Sequence, residues 1–161
     1  MLPSRQPYQT PAQTAIYRNA AFAESFSDTQ LNTLMPFFSV IIPLYNKAPY
    51  VAKTIESVLR QTFSDYELMV IDNGSTDGSG DIVAKYSDPR LQIHRIEENA
   101  GVSNARNKGV ELTSAPYITF LDADDWWEPS FLEEMARLIE KHPSAGIYGT
   151  SYYIVKNGDS P

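Results

Sequence analysis

Three carboxylates stand within four positions of "ITFLDADDWWEPSF" (118–131): Asp122, Asp124 and Asp125 close a run of strand-forming residues, and Trp126 and Trp127 follow. In extended backbone, residues two apart project to the same side, so Asp122 and Asp124 are expected to share one face. Two like charges about 4 Å apart repel by roughly 4 kcal/mol at an effective dielectric of about 20, so the pair requires a counter-cation. No Lys or Arg adjoins the motif in sequence. With neither His nor Cys beside them, the oxygen-only ligands favour Mg²⁺ or Mn²⁺ over zinc. Two carboxylates cannot fill an octahedral shell, so water and substrate phosphates are expected to supply the rest. Capping of the next helix explains one carboxylate, at about 0.3 to 1 kcal/mol. Pro129, however, puts that helix start beyond Asp125, and three acids exceed the need.

Such a motif works only where a fold holds it at a crevice, and the surrounding sequence supplies one. From Phe37 onward, apolar strand-like runs alternate with helical patterns. "FSVIIPL" precedes "APYVAKTIESVLRQ", where Val51, Ile55, Val58 and Leu59 fall at helical spacing and Pro49 sits near the first turn. "YELMVID" precedes "TDGSGDIVAKY", with Asp77 as N-cap; "LQIHRIE" precedes "GVSNARNKGVEL"; "YITFLD" precedes "EPSFLEEMARLIEKH". Four such units predict an α/β fold: a mainly parallel sheet flanked by helices on both faces, with right-handed crossovers. Gly109, inside the third helix, costs roughly 1 kcal/mol relative to Ala and is expected to pack closely against a neighbour.

The two ends read differently. Residues 1–36, rich in Gln, Thr, Ser and Pro, are expected to form an arm, flexible or partly helical, with a short helix near Ala15 to Phe26. Near the other end, "GIYGTSYYIV" reads as a fifth strand, and Asn157-Gly158 is a hairpin signal with no returning strand after it. The domain over 37–161 is therefore expected to be incomplete, truncated after the fifth strand.

Composition narrows the chemistry. A net charge of −7 over 161 residues argues against a nucleic-acid partner, which would need clustered Lys and Arg. The absence of cysteine excludes disulfides, thiolate-bound zinc and a thiol nucleophile. "LMPFFSVIIPL" is too short to span a membrane, and the first residues lack an apolar signal core. The expectation is a cytoplasmic protein whose membrane association, if any, comes through other parts.

Ligands of open parallel sheets bind beyond the carboxyl ends of the strands. There this sequence places "PLYN", "DNGSTDGSG", "EENAG" and "DADD". The glycines match neither a dinucleotide fingerprint nor a phosphate loop ending in Lys-Ser/Thr, so they read as a turn, with Asp72 the better contact.

In their order, "FSVIIPLYNKAPYVAKTIESVLRQTFSDYELMVIDNGSTDGS", "ENAGVSNARNKG" and "YITFLDADD" resemble the nucleotide-sugar-binding half of a family-2 glycosyltransferase of the GT-A fold, over about Phe37 to Val155. The resemblance implies that Pro43, Tyr45 and Asn46 line the base pocket, that Asp72 accepts from a uracil imide, and that Arg106 faces the base. It implies further that Asp122 lies near ribose and metal and that Asp124 ligates a Mg²⁺ or Mn²⁺ bridging the diphosphate, with Asp125 as a possible contributor. The implied reaction moves a sugar from a nucleotide-diphosphate donor, a UDP-sugar foremost, to a hydroxyl of a glycan, lipid or protein, with inversion. The general base is expected beyond the C-terminus, so this chain is expected to bind donor and metal but to transfer poorly. Glu128, Glu133 and Glu134 read as solvated helix charges.

Three other readings stand beside it. One is a non-catalytic nucleotide-sugar-binding or scaffold module, and another an Asp-nucleophile phosphatase using Asp122. The phosphatase would want Gly-Thr after the motif, where Asp and Trp stand here. A nucleotidyltransferase would want a basic glycine-rich loop after the first strand, and "PLYNKAP" is none.

Overall fold

The computed structural model describes residues 15–18 and 35–151. Its elements are β1 (Ala15–Arg18), β2 (Phe38–Leu44), α1 (Val51–Leu59), β3 (Tyr66–Asn73), α2 (Ser79–Val83), β4 (Leu91–Ile96), α3 (Val102–Leu112), β5 (Tyr117–Phe120), α4 (Phe131–Lys141) and β6 (Ile147–Gly149). Among the described residues one six-stranded sheet forms, in the order β4-β3-β2-β5-β1-β6.

β2 is buried at every position. A continuous apolar run suits a parallel strand covered on both faces. It pairs in parallel with β3, Ile41 opposite Met69, and with β5, Ile41 opposite Phe120. Alternation then sorts side chains onto two faces. On one, Val40, Ile42, Leu44, Leu68 and Val70 pack with Val51, Ile55 and Val58 of α1 and Leu132, Met135 and Ile139 of α4. On the other, Ile41, Met69, Ile71 and Ile118 pack with Ala105 of α3. A Cβ at Gly109 would overlap the Ile41 side chain, so α3 approaches β2 as closely as its sequence anticipates. Trp127 is buried and stacks on Phe131, ring centroids 4.3 Å apart, at the foot of α4.

The amino-terminal arm departs from expectation. Ala15–Arg18 is a strand where a helix was anticipated, and it lies antiparallel between β5 and β6, with Ile16 opposite both Thr119 and Tyr148. Ile16 is fully buried. Local propensity yields here to the unpaired edge of β5, whose backbone groups need partners. The sheet is thus mainly parallel with an antiparallel side. Residues 1–14 and 19–34 of the arm and the Asn157-Gly158 turn lie outside the described residues. Among the described residues no helix is long and apolar enough to cross a membrane.

Candidate active site

The carboxyl ends of β2, β3 and β5 open onto the same rim, and hydrogen bonds knit their loops together. Past β2 the chain turns at Asn46, which takes a positive φ of 50° that Asn tolerates better than most residues. The Asn46 N–H donates to Ser75 Oγ at 3.1 Å, and the Thr76 N–H donates to Asn46 Oδ1 at 2.9 Å. The Lys47 N–H donates to Ser79 Oγ at 2.8 Å and the Ala48 N–H to Asp77 Oδ2 at 2.9 Å. Asp77 also accepts from the Ser79 N–H at the start of α2, but the N-cap position expected of it is taken by Gly78, whose φ is 88°, and Asp77 stands one residue before it. Donation from the Ser79 side chain, then from the Ala48 N–H, holds the Asp77 carboxyl below the ordinary carboxylate range. The loop carrying Tyr45 is therefore held from below, while the Tyr45 side chain itself stays 44% exposed.

At the end of β5 the carboxylates find their counter-charges. The Asp125 N–H donates to the Asp122 carbonyl at 3.0 Å, so the motif is a turn rather than extended chain. The extended backbone expected for the motif is corrected accordingly, and Asp122 and Asp124 each meet a different basic side chain. Arg106 Nη2 donates to Asp122 Oδ1 at 2.7 Å, and Lys47 Nζ donates to Asp124 Oδ2 at 2.5 Å. The bases come from 16 and 77 residues away, which is why the motif looked unaccompanied in sequence. Asp125 is half-buried. Desolvation first, then the Asp124 and Asp122 charges, push its carboxyl above the ordinary range, with Lys47 opposing.

β3 brings a second correction. Asp72 follows Leu68 and Val70 on the face of α1 and α2, where a Cβ at Gly80 would lie 2.5 Å from its Oδ2. Its Oδ1 accepts from the Ser75 N–H at 2.9 Å, Oδ2 has no hydrogen-bond partner, and Arg95 Nε stands 3.9 Å away. Asp72 thus braces the loop after β3. Pro43, Arg106 and Asp122 lie on the α3 face, and the side chain that joins them at the end of β3 is Asn73. Its Nδ2 donates to Asn99 Oδ1 at 2.8 Å and to the Gly101 carbonyl at 3.2 Å, and its Oδ1 accepts from Ala100 N–H at 3.2 Å. Counting the two-residue alternation onward from Met69 and Ile71 would have found it.

Among the described residues no three acidic or histidine side chains converge as a ready metal cage. The residues at hand still fit a hard divalent cation. Asp122, Asp124 and Asp125 outnumber Lys47 and Arg106, leaving a net negative cluster of oxygen ligands. Oxygen ligands of this kind suit Mg²⁺ or Mn²⁺ with most of the shell left to water and phosphate.

Similar proteins share this arrangement of sequence and fold. The model of the glycosyl transferase family 2 matches residues 39–160. WfgD of Escherichia coli, a UDP-Glc:alpha-D-GlcNAc-diphosphoundecaprenol beta-1,3-glucosyltransferase, is 35% identical over 119 residues, 74% of this chain and 47% of WfgD. A crystal structure of S. aureus TarS in complex with UDP-GlcNAc is similar with a TM-score of 0.63 and 32% identity over 66% of this chain. The mannosyltransferase PcManGT of Pyrobaculum calidifontis, in complex with GDP-Man and Mn²⁺, has a TM-score of 0.60 at 25% identity over 66% of this chain. This chain spans 47% of WfgD, 32% of the TarS chain and 33% of the PcManGT chain. The family match runs from β2 through every strand end that carries the site, and on it the chain belongs to glycosyl transferase family 2.

Proposed function

We propose that this chain forms the donor half of a glycosyltransferase that moves a sugar from a nucleotide-diphosphate sugar, a UDP-sugar foremost, to an acceptor hydroxyl with inversion. The observation that carries the reading is the meeting of Asp122, Asp124, Lys47 and Arg106 at the carboxyl ends of parallel strands. The complexes of similar proteins with UDP-GlcNAc and with GDP-Man and Mn²⁺ support the same donor class.

In this reading Asp124 and Asp122 hold Mg²⁺ or Mn²⁺, with Asp125 adjoining. A divalent ion there supplies Lewis-acid stabilisation to the departing diphosphate. The protein's own groups do the remaining work. Tyr45, on its braced loop, offers an exposed ring to the base, with Pro43, Asn46 and Asn73 bordering it. Arg106 fixes Asp122 by a charge-assisted hydrogen bond, which saves reorganisation as charge develops. Glu133 and Glu134 pair with Arg137 as surface charges of α4, so neither is assigned as the base that activates the acceptor.

Thermal unfolding with UDP or GDP, each with Mn²⁺ or chelator, tests the proposal. Ligand at about 100 times its dissociation constant adds roughly 2.7 kcal/mol, which at this size raises Tm by several degrees. The rise is expected with UDP and Mn²⁺, and is expected to vanish with chelator or in Asp124→Ala. Midpoints indifferent to nucleotide under every condition would refute the donor site.

A further inference from the structure

Lys47 is the group in this site whose position is least explained by the donor reading alone. Its ammonium contacts Asp124, the carboxylate assigned to the metal, at 2.5 Å. A divalent cation and an ammonium on one carboxylate repel each other, so both cannot keep full contact with Asp124. Lys47 is the basic side chain on Asp124, while Arg106 is held on the neighbouring Asp122. Arg106 rises from the middle of α3 with its Nε buried, its guanidinium lying 5.8 Å from the Phe120 ring centroid and on Asp122. Lys47 sits on the loop after β2, its backbone anchored through its N–H on Ser79 Oγ and through its carbonyl on the Tyr50 and Val51 N–H groups, and its ammonium bonds Asp124 alone among the described residues; exposure does not separate the two side chains, 34% for Lys47 and 36% for Arg106. Its long stem can therefore swing without disturbing the loop.

We propose that Lys47 is an exchangeable counter-ion: it neutralises Asp124 in the metal-free protein, is displaced as a divalent cation binds there, and turns its ammonium to the donor diphosphate. The proposal rests on the donor-site reading above and deepens it. Before exchange the ion pair ties the loop after β2 to the turn after β5, across 77 residues of sequence. Afterwards the same positive charge serves the anion that arrives with the metal. Lys47 is then a binding and positioning residue whose loss has opposite effects on the two ligands.

That opposition is the test. Lys47→Met keeps the stem and removes the charge. Calorimetric titration with Mn²⁺ alone should show about two- to fivefold tighter binding than the parent, the range expected for removing a partly exposed competing charge. UDP titrated at saturating Mn²⁺ should bind about tenfold more weakly, as for loss of a hydrogen bond to a charged group. Lys47→Arg should restore UDP binding toward the parent. A merely structural lysine would weaken both ligands on removal; that outcome, or no change in either titration, overturns the exchange. A parent that binds neither Mn²⁺ nor UDP overturns the donor site, and the exchange with it. Should Lys47→Met fail to fold, Mg²⁺ titrated into parent protein carrying labelled lysine must shift the Lys47 side-chain resonances. An unshifted signal at saturating Mg²⁺ sinks the proposal.

Discussion

Asp72 and Asn73 are neighbours in sequence, yet the pleat of β3 sends them to opposite faces of the sheet: Asp72 lies against Gly80 of α2, and Asn73 bonds the loop that leads into α3. Substituting each separately should give unlike results. Asn73→Ala removes three hydrogen bonds to residues 99–101 and is expected to weaken UDP binding in the presence of Mn²⁺. Asp72→Asn is expected instead to change Tm through the loop after β3, with UDP affinity close to the parent; equal losses of affinity would show that both side chains serve the nucleotide. Asp125 makes a pH-dependent prediction. Its carboxyl holds its proton more tightly in the folded than in the unfolded chain, because of burial and two neighbouring carboxylates. Its contribution to stability is therefore fully present below the ordinary carboxylate range and is lost as pH rises through the raised folded value. In chelator, the fall in Tm of the parent as pH rises from about 4 to about 7 should be smaller in Asp125→Asn. An identical pH slope in the two proteins would count against the assignment.

At the scale of elements, close approach of α3 to the sheet carries Arg106 to Asp122. Gly109 makes this approach possible, since any Cβ there meets Ile41. Gly109→Val is expected to cost about 1 to 3 kcal/mol as an overpacked contact, read by denaturant unfolding. It should also lift Arg106 from Asp122 and so weaken nucleotide binding; a stable variant with unaltered binding would show that the helix can shift without moving the site. The elements themselves were legible from residue patterns. "FSVIIPL" is β2 residue for residue, and the helical spacing of Val51, Ile55 and Val58 is the buried stripe of α1. Less legible was the strand at Ala15–Arg18, because four residues of mixed character have no periodic signature of their own.

Across the whole molecule, that short strand joins distant parts of the chain. Ile16 is buried in the layer that holds Leu132, Met135 and Tyr148, between the β5 and β6 backbones. Ile16→Ala is expected to destabilise the protein by about 2 to 5 kcal/mol, as for other large-to-small changes in a core. Chemical denaturation checks it, and a cost near zero would mean that the arm is dispensable to the sheet. The sequence by itself determined the α/β class, the order of strands and helices from Phe37 onward, and the gathering of polar loops at one rim. These follow from hydrophobic period and turn chemistry, which are local. Only the tertiary structure decided that Asp122 and Asp124 pair with Arg106 and Lys47, that Asn73 rather than Asp72 lies on the face of α3, and that the arm supplies a strand. Each of those depends on backbone angles at a turn, on the register of pairing, or on an unpaired sheet edge, and such contacts link residues that no local pattern connects.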